Sequence, residues 1–361
     1  MRTTCQLLFL VLLLLSMSTH AFAADVAYVG HHWEGTVSVV DTATNSVTAT
    51  IQVGPYPYGL ALNPAGTRLY VAKDHTNQLA VIDTATNTVT AMVSLPHTDP
   101  IGVAVSPDGT RVYVSDGWGY GVSAIDTATN TVIAFIYTGY ESHPYGLIVN
   151  PSGTKLYVAN VYHNTVSIID TASNTITKTI GVGASPYGID ITPDGSKVYV
   201  TNTGGGTVSV IDCSIDEVTA TIPTSSSPFG AAINPQGTKV YVTDSSNYLL
   251  TVIDTASDTV FGTVSLQDSP MGVSVAPDGN KIYVTSNASG SLSVIDAATN
   301  TVIGVFPTGG VALNFGKFTG PKPAQPAPPA PQEGLFAYVG HHWEGTVSVV
   351  DTATNSVTAT I

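Results

Sequence analysis

Six histidines in short polar loops are the residues of this sequence whose chemistry is most distinctive. They are His31, His32, His75, His97, His143 and His163. Neutral imidazole suits zinc or copper, and a zinc site needs three or four ligands that converge at about 2.0–2.1 Å from the ion. The sequence therefore offers His75, His97 and His143 as candidate metal ligands.

Aromatic and acidic residues accompany the histidines in the same loops. The aromatic residues are Trp33, Trp118, Tyr120, Tyr140 and Tyr162. The acidic residues are Glu34, Asp74, Asp99, Asp116 and Glu141. Indole and phenol rings combine apolar area with a polar tip, which suits the binding of sugars or peptides. A simpler interpretation is that histidine is polar and collects in loops for that reason alone.

Sequence motifs of the common enzyme classes are absent. There is no G-x-S-x-G, H-E-x-x-H, phosphate-binding loop or paired-cysteine zinc motif, and no C-x-x-C-H for covalent haem. The recurring phrase DTATN lacks the acidic count of a calcium loop, and an Asp that caps its own turn explains it better. A net charge of −14 with only 11 scattered basic residues argues against a nucleic-acid partner.

Internal repeats of about 42 residues must position these loops. Tyr-Val pairs begin at 28, 70, 113, 157, 199, 241 and 283. Each repeat holds four runs rich in Val, Ile, Tyr and Thr, separated by turn residues. In the third repeat these runs are 101–106, 111–116, 121–126 and 131–137. Four antiparallel strands per repeat predict one blade of a β-propeller, because a single blade cannot bury both faces of its sheet.

The strand count predicts how the ring closes. Six complete four-stranded repeats follow an amino-terminal stretch, 26–51, that supplies only the outer three strands of a blade. The stretch VALNFG at 311–316 supplies one more inner strand. We therefore predict an all-β, seven-bladed propeller of four-stranded antiparallel blades. Pairing of the amino-terminal strands with a carboxy-terminal inner strand closes the ring and removes an open sheet edge.

Propeller topology predicts that all six histidines share one face. The loops between second and third strands, and those between blades, emerge at the same end of the ring. The histidines belong to the first four blades and so occupy one side of that face. His143 is the strongest metal candidate because it directly precedes Pro144-Tyr145-Gly146, which starts an inner strand near the central channel. The opposite face repeats near-identical turns, so the divergent face is the predicted binding surface.

The repeat phrases resemble those of the YVTN family of β-propellers. The phrases are YVTN at 199–202, YVAN at 157–160, YVTS at 283–286 and PDGTRVYV at 107–114, together with the terminal GGVALNFGKF. The resemblance covers about 26–319. It implies a bacterial or archaeal propeller of secreted or surface-layer type. It leaves the function open, because one fold serves many functions.

Composition divides the chain into four segments. We predict a signal peptide at 1–23, the propeller at 24–319, a Pro-rich linker at 320–336 and a duplicate of 27–51 at 337–361. Export then leads to the periplasm, the cell surface or the medium, with no transmembrane segment after cleavage. The duplicate is surplus to the ring. It is either a strand-exchange element for an oligomer, a second propeller cut short, or a loosely ordered product of gene duplication.

Two functions remain open from the sequence. The first is a secreted, non-enzymatic propeller without a cofactor, which binds a protein, a glycan or another envelope partner through the histidine- and aromatic-rich face. The alternative is a metal- or cofactor-binding propeller with histidines at the channel mouth and zinc or copper as the metal. The resemblance to other seven-bladed propellers implies that such a protein is a redox accessory protein or a lactonase-like enzyme.

Overall fold

The computed structural model describes most of the chain as strands and tight turns. It describes residues 25–97, 99–312, 314 and 316–322, and the backbone of 336–341, 346–351 and 356–360. These residues fall into two units, one ending at Pro323 and one beginning at Ala324. The predicted signal peptide and most of the predicted linker lie outside the described residues.

Seven four-stranded antiparallel sheets, here called blades I–VII, make up the first unit. Blade I contains β1 (Asp25–His31), β2 (Thr36–Asp41), β3 (Ser46–Gln52) and β28 (Thr319–Pro321). Blade II contains β4 (Pro57–Leu62), β5 (Arg68–Lys73), β6 (Gln78–Asp83) and β7 (Thr88–Ser94). Blade III contains β8 (Pro100–Val105), β9 (Arg111–Asp116), β10 (Gly121–Asp126) and β11 (Thr131–Tyr137). Blade IV contains β12 (Pro144–Val149), β13 (Lys155–Asn160), β14 (Thr165–Asp170) and β15 (Thr175–Gly181).

The remaining three blades repeat the same order of strands. Blade V contains β16 (Pro186–Ile191), β17 (Lys197–Asn202), β18 (Thr207–Asp212) and β19 (Glu217–Pro223). Blade VI contains β20 (Pro228–Ile233), β21 (Lys239–Asp244), β22 (Leu249–Asp254) and β23 (Thr259–Ser265). Blade VII contains β24 (Pro270–Val275), β25 (Lys281–Ser286), β26 (Ser291–Asp296) and β27 (Thr301–Pro307). The predicted seven-bladed fold is confirmed.

Burial follows the position of each strand in its blade. The second and third strands are buried along nearly their whole length, because neighbouring blades cover both sides of each sheet. The tyrosine of each Tyr-Val pair is at most 2% exposed: Tyr28, Tyr70, Tyr113, Tyr157, Tyr199, Tyr241 and Tyr283. The outermost strands are largely exposed, as β15 shows. The hydrophobic core therefore lies between blades, and one blade alone would be unstable.

Aspartates at the ends of the third strands hold the turns that follow them. The Oδ1 atom of Asp41 accepts the backbone N–H groups of Ala43 and Thr44, each at 3.0 Å. Asp83 does the same for Ala85 and Thr86 in blade II. These side chains serve their own turns, as predicted for the DTATN phrase.

Glycines in the inner strands allow neighbouring blades to approach closely around the axis. A Cβ atom on Gly59 would lie 2.0 Å from the carbonyl oxygen of Ile101, and one on Gly188 would lie 2.3 Å from that of Phe229. Real atoms do not come this close, so any side chain here would push two blades apart. The recurring P-x-G phrase is therefore required by the packing of the ring.

The amino-terminal copy of the duplicated stretch completes the ring. Ala27 pairs with Thr319 in β28, and His31 forms an isolated bridge with Ala312. Between these two points the Tyr28 N–H donates to the Phe318 carbonyl at 2.9 Å, and the side chain of Asn314 adds two further bonds. Its Oδ1 accepts the Gly30 N–H at 2.8 Å, and its Nδ2 donates to the Tyr28 carbonyl at 2.9 Å. The regular inner strand lies at 319–321, beyond the predicted 311–316, where the described residues Ala312 and Asn314 also bond to β1.

The second unit is a three-stranded antiparallel sheet. It consists of β29 (Phe336–His341), β30 (Thr346–Asp351) and β31 (Ser356–Thr360). Ala337 pairs with Val350, in the register by which Ala27 pairs with Val40 in the first unit. Identical sequence thus gives identical strand pairing in both copies. Across the described residues, no helix has the length and apolar character to cross a membrane.

Candidate functional site

The connections at one end of the ring carry most of the predicted site residues. In blades I–IV they are residues 32–35, 53–56, 74–77, 95–97, 117–120, 138–143 and 161–164, here called the loop face. Successive strands run in opposite directions, so these connections all emerge at the same end. The corresponding turns of blades V–VII, at 203–206, 245–248 and 287–290, are rich in Gly, Ser and Asn.

Two carboxylates and two imidazoles meet where blades I, II and III adjoin. Asp74, His75, Asp99 and His32 form this group, here called the carboxylate cluster. Asp74 Oδ2 lies 3.4 Å from His32 Nε2 and 3.5 Å from His75 Nε2. Asp99 Oδ1 lies 3.3 Å from His75 Nδ1. Asp74, Asp99 and His32 are buried, whereas the His75 side chain is 61% exposed.

The backbone of blade II is shaped differently from the other blades at this point. In the turns of blades I, III and IV the left-handed residue stands fourth, at Gly35, Tyr120 and Asn164. In blade II it stands second, at His75, whose φ is 54°. This conformation costs a residue with a Cβ about 1 kcal/mol or more. The altered turn directs His75 toward Asp99.

The Asp74 and Asp99 carboxyls of the cluster have different pKa values, because each is buried and each lies close to the other. Burial, and after it the adjacent Asp74 carboxyl, raise the pKa of Asp99 to about 7. Burial also opposes ionisation of Asp74, but hydrogen bonds from His32 and Asp99 outweigh it and lower the pKa of Asp74. The two carboxyl groups thus share one proton, held on Asp99, because two adjacent buried charges repel.

Aromatic rings surround His143 on the neighbouring part of the loop face. The ring of His143 lies 4.1 Å from Tyr162, 4.6 Å from Trp118 and 5.2 Å from Tyr120, measured between centroids. Tyr140 packs on Tyr120 at 5.4 Å. We call these five residues the aromatic cage. Burial lowers the pKa of His143, so its imidazole is neutral at pH 7.

The aromatic cage has one buried member, His143, and three members that are mostly exposed to solvent. His143 is only 4% exposed, whereas Trp118, Tyr140 and Tyr162 are 60%, 68% and 64% exposed. Trp33 is a fourth exposed ring, at 66%, and it packs edge-on against His32 at 4.8 Å. Buried histidines thus hold exposed aromatic rings in place, which reduces the entropy that these rings lose on binding a ligand.

Two other predicted residues lie away from the open surface. His31 is the last residue of β1 rather than a loop residue, and it is 1% exposed. Its Nε2 forms a hydrogen bond with Ser38 Oγ at 2.9 Å. His97 is half-buried and stacks on Phe135 at 4.4 Å. Both histidines therefore have packing roles in this structure.

The last two predicted residues are exposed. His163 Nε2 forms a hydrogen bond with the Tyr140 carbonyl at 3.0 Å, and so ties two loops of the cage together. Glu34 extends over Gly310, where its carboxyl carbon would lie 2.4 Å from an added Cβ atom. Glu34 adds negative charge beside Trp33 at the edge of the loop face.

The predicted metal ligands do not form one group. Among the described residues, one set of three ligand-type side chains is close enough to share an ion: Asp74, His75 and Asp99, whose ligand atoms lie within 4.8 Å of one another. His75 belongs to it, and His97 and His143 do not. Propeller geometry explains the difference, because His97 packs outward on β11 and His143 is enclosed by aromatic rings.

A row of aromatic side chains at the channel was not predicted. It occupies the middle position of the P-x-G phrase, where the inner strands begin. Tyr145 packs on Tyr187 at 4.7 Å, and Tyr187 packs on Phe229 at 5.0 Å. Burial raises the pKa of Tyr58 and of Tyr145, and the nearby Asp74 and Asp99 carboxyls add to both shifts. The signal was present in the sequence as the recurring aromatic residue between Pro and Gly.

A cavity lined by the inner strands opens at the other end of the ring. It has a volume of about 480 Å³ and apolar walls, with Asp190 and Lys317 as its charged residues. Both oxygens of Asp190 accept backbone N–H groups, one from Ile191 and one from Ile233, each at 2.8 Å. That carboxylate is therefore occupied in joining blades V and VI, and the loop face is the better candidate site.

The fold and this arrangement define the chain as a seven-bladed β-propeller with a histidine- and aromatic-rich loop face. Residues 147–255 match the family described as YNCE-like beta-propeller. No curated protein matches the sequence.

Two solved structures are similar to the chain. One is Kuenenia stuttgartiensis hydrazine synthase, with a TM-score of 0.66 and 22% identity, covering 82% of this chain and 96% of that one. The other is a functionally unknown protein from Desulfotomaculum acetoxidans, with a TM-score of 0.71 and 19% identity, covering 81% of this chain and 97% of that one. At these identities the likeness shows the fold alone.

Proposed function

We propose that this protein is a non-catalytic binding protein of the cell envelope that holds a glycan or a protein partner on its loop face. The observation that carries the proposal is the presence of four exposed aromatic rings on the loop face of blades I, III and IV, three of them in the aromatic cage. They are Trp33, Trp118, Tyr140 and Tyr162, each 60–68% exposed. A cluster of large exposed rings costs solvation free energy in a free protein, and it commonly marks an interaction site.

The chemistry of the surface favours a partner with flat apolar faces and hydroxyl groups. Indole and phenol rings stack on the apolar faces of sugar rings, and the exposed carboxylates of Glu34 and Glu141 can accept hydrogen bonds from hydroxyls. Buried His143 and His32 hold the rings from beneath. A surface polysaccharide meets this description, and a peptide rich in polar residues does so as well.

The family and location of the chain belong to the same proposal. The YVTN-like phrases in every blade resemble those of secreted or surface-layer propellers, and export through residues 1–23 would bring the chain to the envelope. A metal-dependent enzyme centred on His143 has less support. His143 is outside the set of ligand-type side chains that the described residues bring together.

The test is binding of the full chain to glycan arrays and to envelope polysaccharide, with three variants. We expect Trp118→Ala and Tyr140→Ala each to weaken binding at least tenfold, because each removes exposed stacking area without disturbing the core. Tyr248→Ala is the matched control, since Tyr248 is 49% exposed on blade VI of the same end of the ring. Unchanged binding in both cage variants, or an equal loss in the control, would overturn the proposal.

A further inference from the structure

We propose that Asp74, His75 and Asp99 bind one divalent transition-metal ion, with zinc as the best-matched metal. Asp74 and His75 lie on one loop of blade II, between β5 and β6, and Asp99 lies in the connection from blade II to blade III. Their ligand atoms already lie within 4.8 Å of one another. This site is independent of the aromatic cage, and it goes beyond the proposed binding of a glycan or protein.

The spacing of the ligand atoms fits a single ion. Two ligands bound tetrahedrally to one zinc at about 2.0–2.1 Å lie roughly 3.3–3.4 Å apart. Asp74 Oδ2 lies 3.5 Å from His75 Nε2, and Asp99 Oδ1 lies 3.3 Å from the other ring nitrogen, Nδ1. One ion takes only one of these nitrogens, so one carboxylate is already at ligand spacing and the other must come closer. With one ligand atom taken from each residue, the three atoms lie within 4.8 Å of one another. Both separations exceed the roughly 2.7–2.9 Å of a direct charge-assisted hydrogen bond.

Charge supports the same conclusion. Asp74 and Asp99 are 8% and 6% exposed, and two buried carboxyls side by side ionise together only when a positive charge compensates them. In the part of the chain that the structure describes, the ion pairs of these two carboxyls involve only imidazole. A divalent ion would supply the missing charge. Two carboxylate oxygens with one imidazole nitrogen suit zinc, and the imidazole disfavours calcium and magnesium.

His32 is a second observation that points into the site. It is 5% exposed, its Nε2 faces Asp74 Oδ2 at 3.4 Å, and its Nδ1 lies buried without a hydrogen-bond partner. A buried imidazole that holds a ligating carboxylate is a usual support of a zinc site. We assign His32 as a positioning residue. The fourth ligand position is left to water or to a group of the bound partner, because His75 is the exposed member of the set.

Zinc titration of the full chain by calorimetry, after chelation and dialysis, tests the proposal. We expect one zinc ion per chain in the propeller, with affinity reduced at least tenfold in His75→Ala and in Asp99→Asn. His163→Ala is the control, because it removes an exposed histidine of the same face that lies outside the cluster. Failure to bind zinc at 100 µM, or equal binding by all three variants, would overturn the assignment.

Two further measurements separate metal binding from folding and from partner binding. His32→Gln is expected to lower zinc affinity about 10–100-fold, the usual effect of losing a supporting residue, with the melting temperature of the metal-free protein nearly unchanged. An equal affinity in this variant would remove the positioning role. Trp118→Ala should bind zinc as the parent chain does, so failure of the glycan proposal leaves the zinc result intact.

Discussion

Blades I–IV and blades V–VII share one scaffold and carry different loops. In blade IV, Asn160 Nδ2 donates to Ser167 Oγ at 2.9 Å, and in blade V, Asn202 Nδ2 donates to Ser209 Oγ at the same distance. The turns that follow these asparagines have little in common: one contains Tyr162 and His163, and the other three consecutive glycines. The scaffold therefore does not require the loops of blades I–IV to differ from those of blades V–VII, and this difference supports the proposed binding role of the loop face.

The largest expected effect tests whether the inner strands pack equally closely in the two groups of blades, I–IV and V–VII. Gly59→Ala in blade II and Gly188→Ala in blade V should each lower the free energy of unfolding by about 3 kcal/mol, because the new methyl group meets a neighbouring carbonyl oxygen. Urea denaturation of each variant measures the loss. Gly181→Ala is the control, since nothing lies within 4 Å of a Cβ atom there. A loss confined to one side of the ring would show that the two halves are not equivalent.

The second prediction concerns the seam of the ring, which is the junction in blade I between β1 and the carboxy-terminal residues Ala312, Asn314 and β28. Asn314→Ala removes two buried hydrogen bonds and leaves the Gly30 N–H and the Tyr28 carbonyl unpaired. We expect a loss of about 2–3 kcal/mol in unfolding free energy. Asn150→Ala, which removes bonds within an exposed turn, should cost about 1 kcal/mol. Equal losses in the two variants would mean that the Asn314 hydrogen bonds stabilise the fold no more than those of an ordinary exposed turn.

The smallest expected effect tests the separation of loop from scaffold. Replacing Tyr162 and His163 together by glycine makes the blade IV turn resemble that of blade V, and Asn164 keeps its left-handed conformation, with φ of 56°. The free energy of unfolding should change by less than about 1 kcal/mol in thermal denaturation, because both side chains are exposed. Val161→Gly in the same turn should cost more, since Val161 is buried. A large loss in the double variant would show that the cage stabilises the fold.

Much of the fold could be predicted because strands and turns alternate so regularly. The run predicted at 111–116 is strand β9, Arg111–Asp116, and the runs at 121–126 and 131–137 are strands β10 and β11. The closing strand was placed less accurately. VALNFG resembles the other inner strands in sequence, but there the Asn314 side chain supplies two of the bonds to β1, and no periodicity reveals such a bond.

The candidate site was predictable as a face but not as a set of contacts. Topology places all the loops at one end, and the sequence shows which loops carry unusual residues. Which side chains meet depends on the rotation between adjacent blades and on single backbone angles. Asp74 and Asp99 are 25 positions apart in sequence, and the left-handed conformation of His75 brings its ring between them. Neither relation can be read from residue types and spacing.

The seam described above also has a kinetic consequence. The Gly30–Asn314 bond joins residues 284 positions apart, whereas most pairings in blades II–VII lie within one repeat. Contacts between distant residues carry the greatest loop-closure entropy and tend to form late. We therefore expect blade I to assemble last and to open first, and the amides of Tyr28 and Gly30 would report that opening in hydrogen exchange.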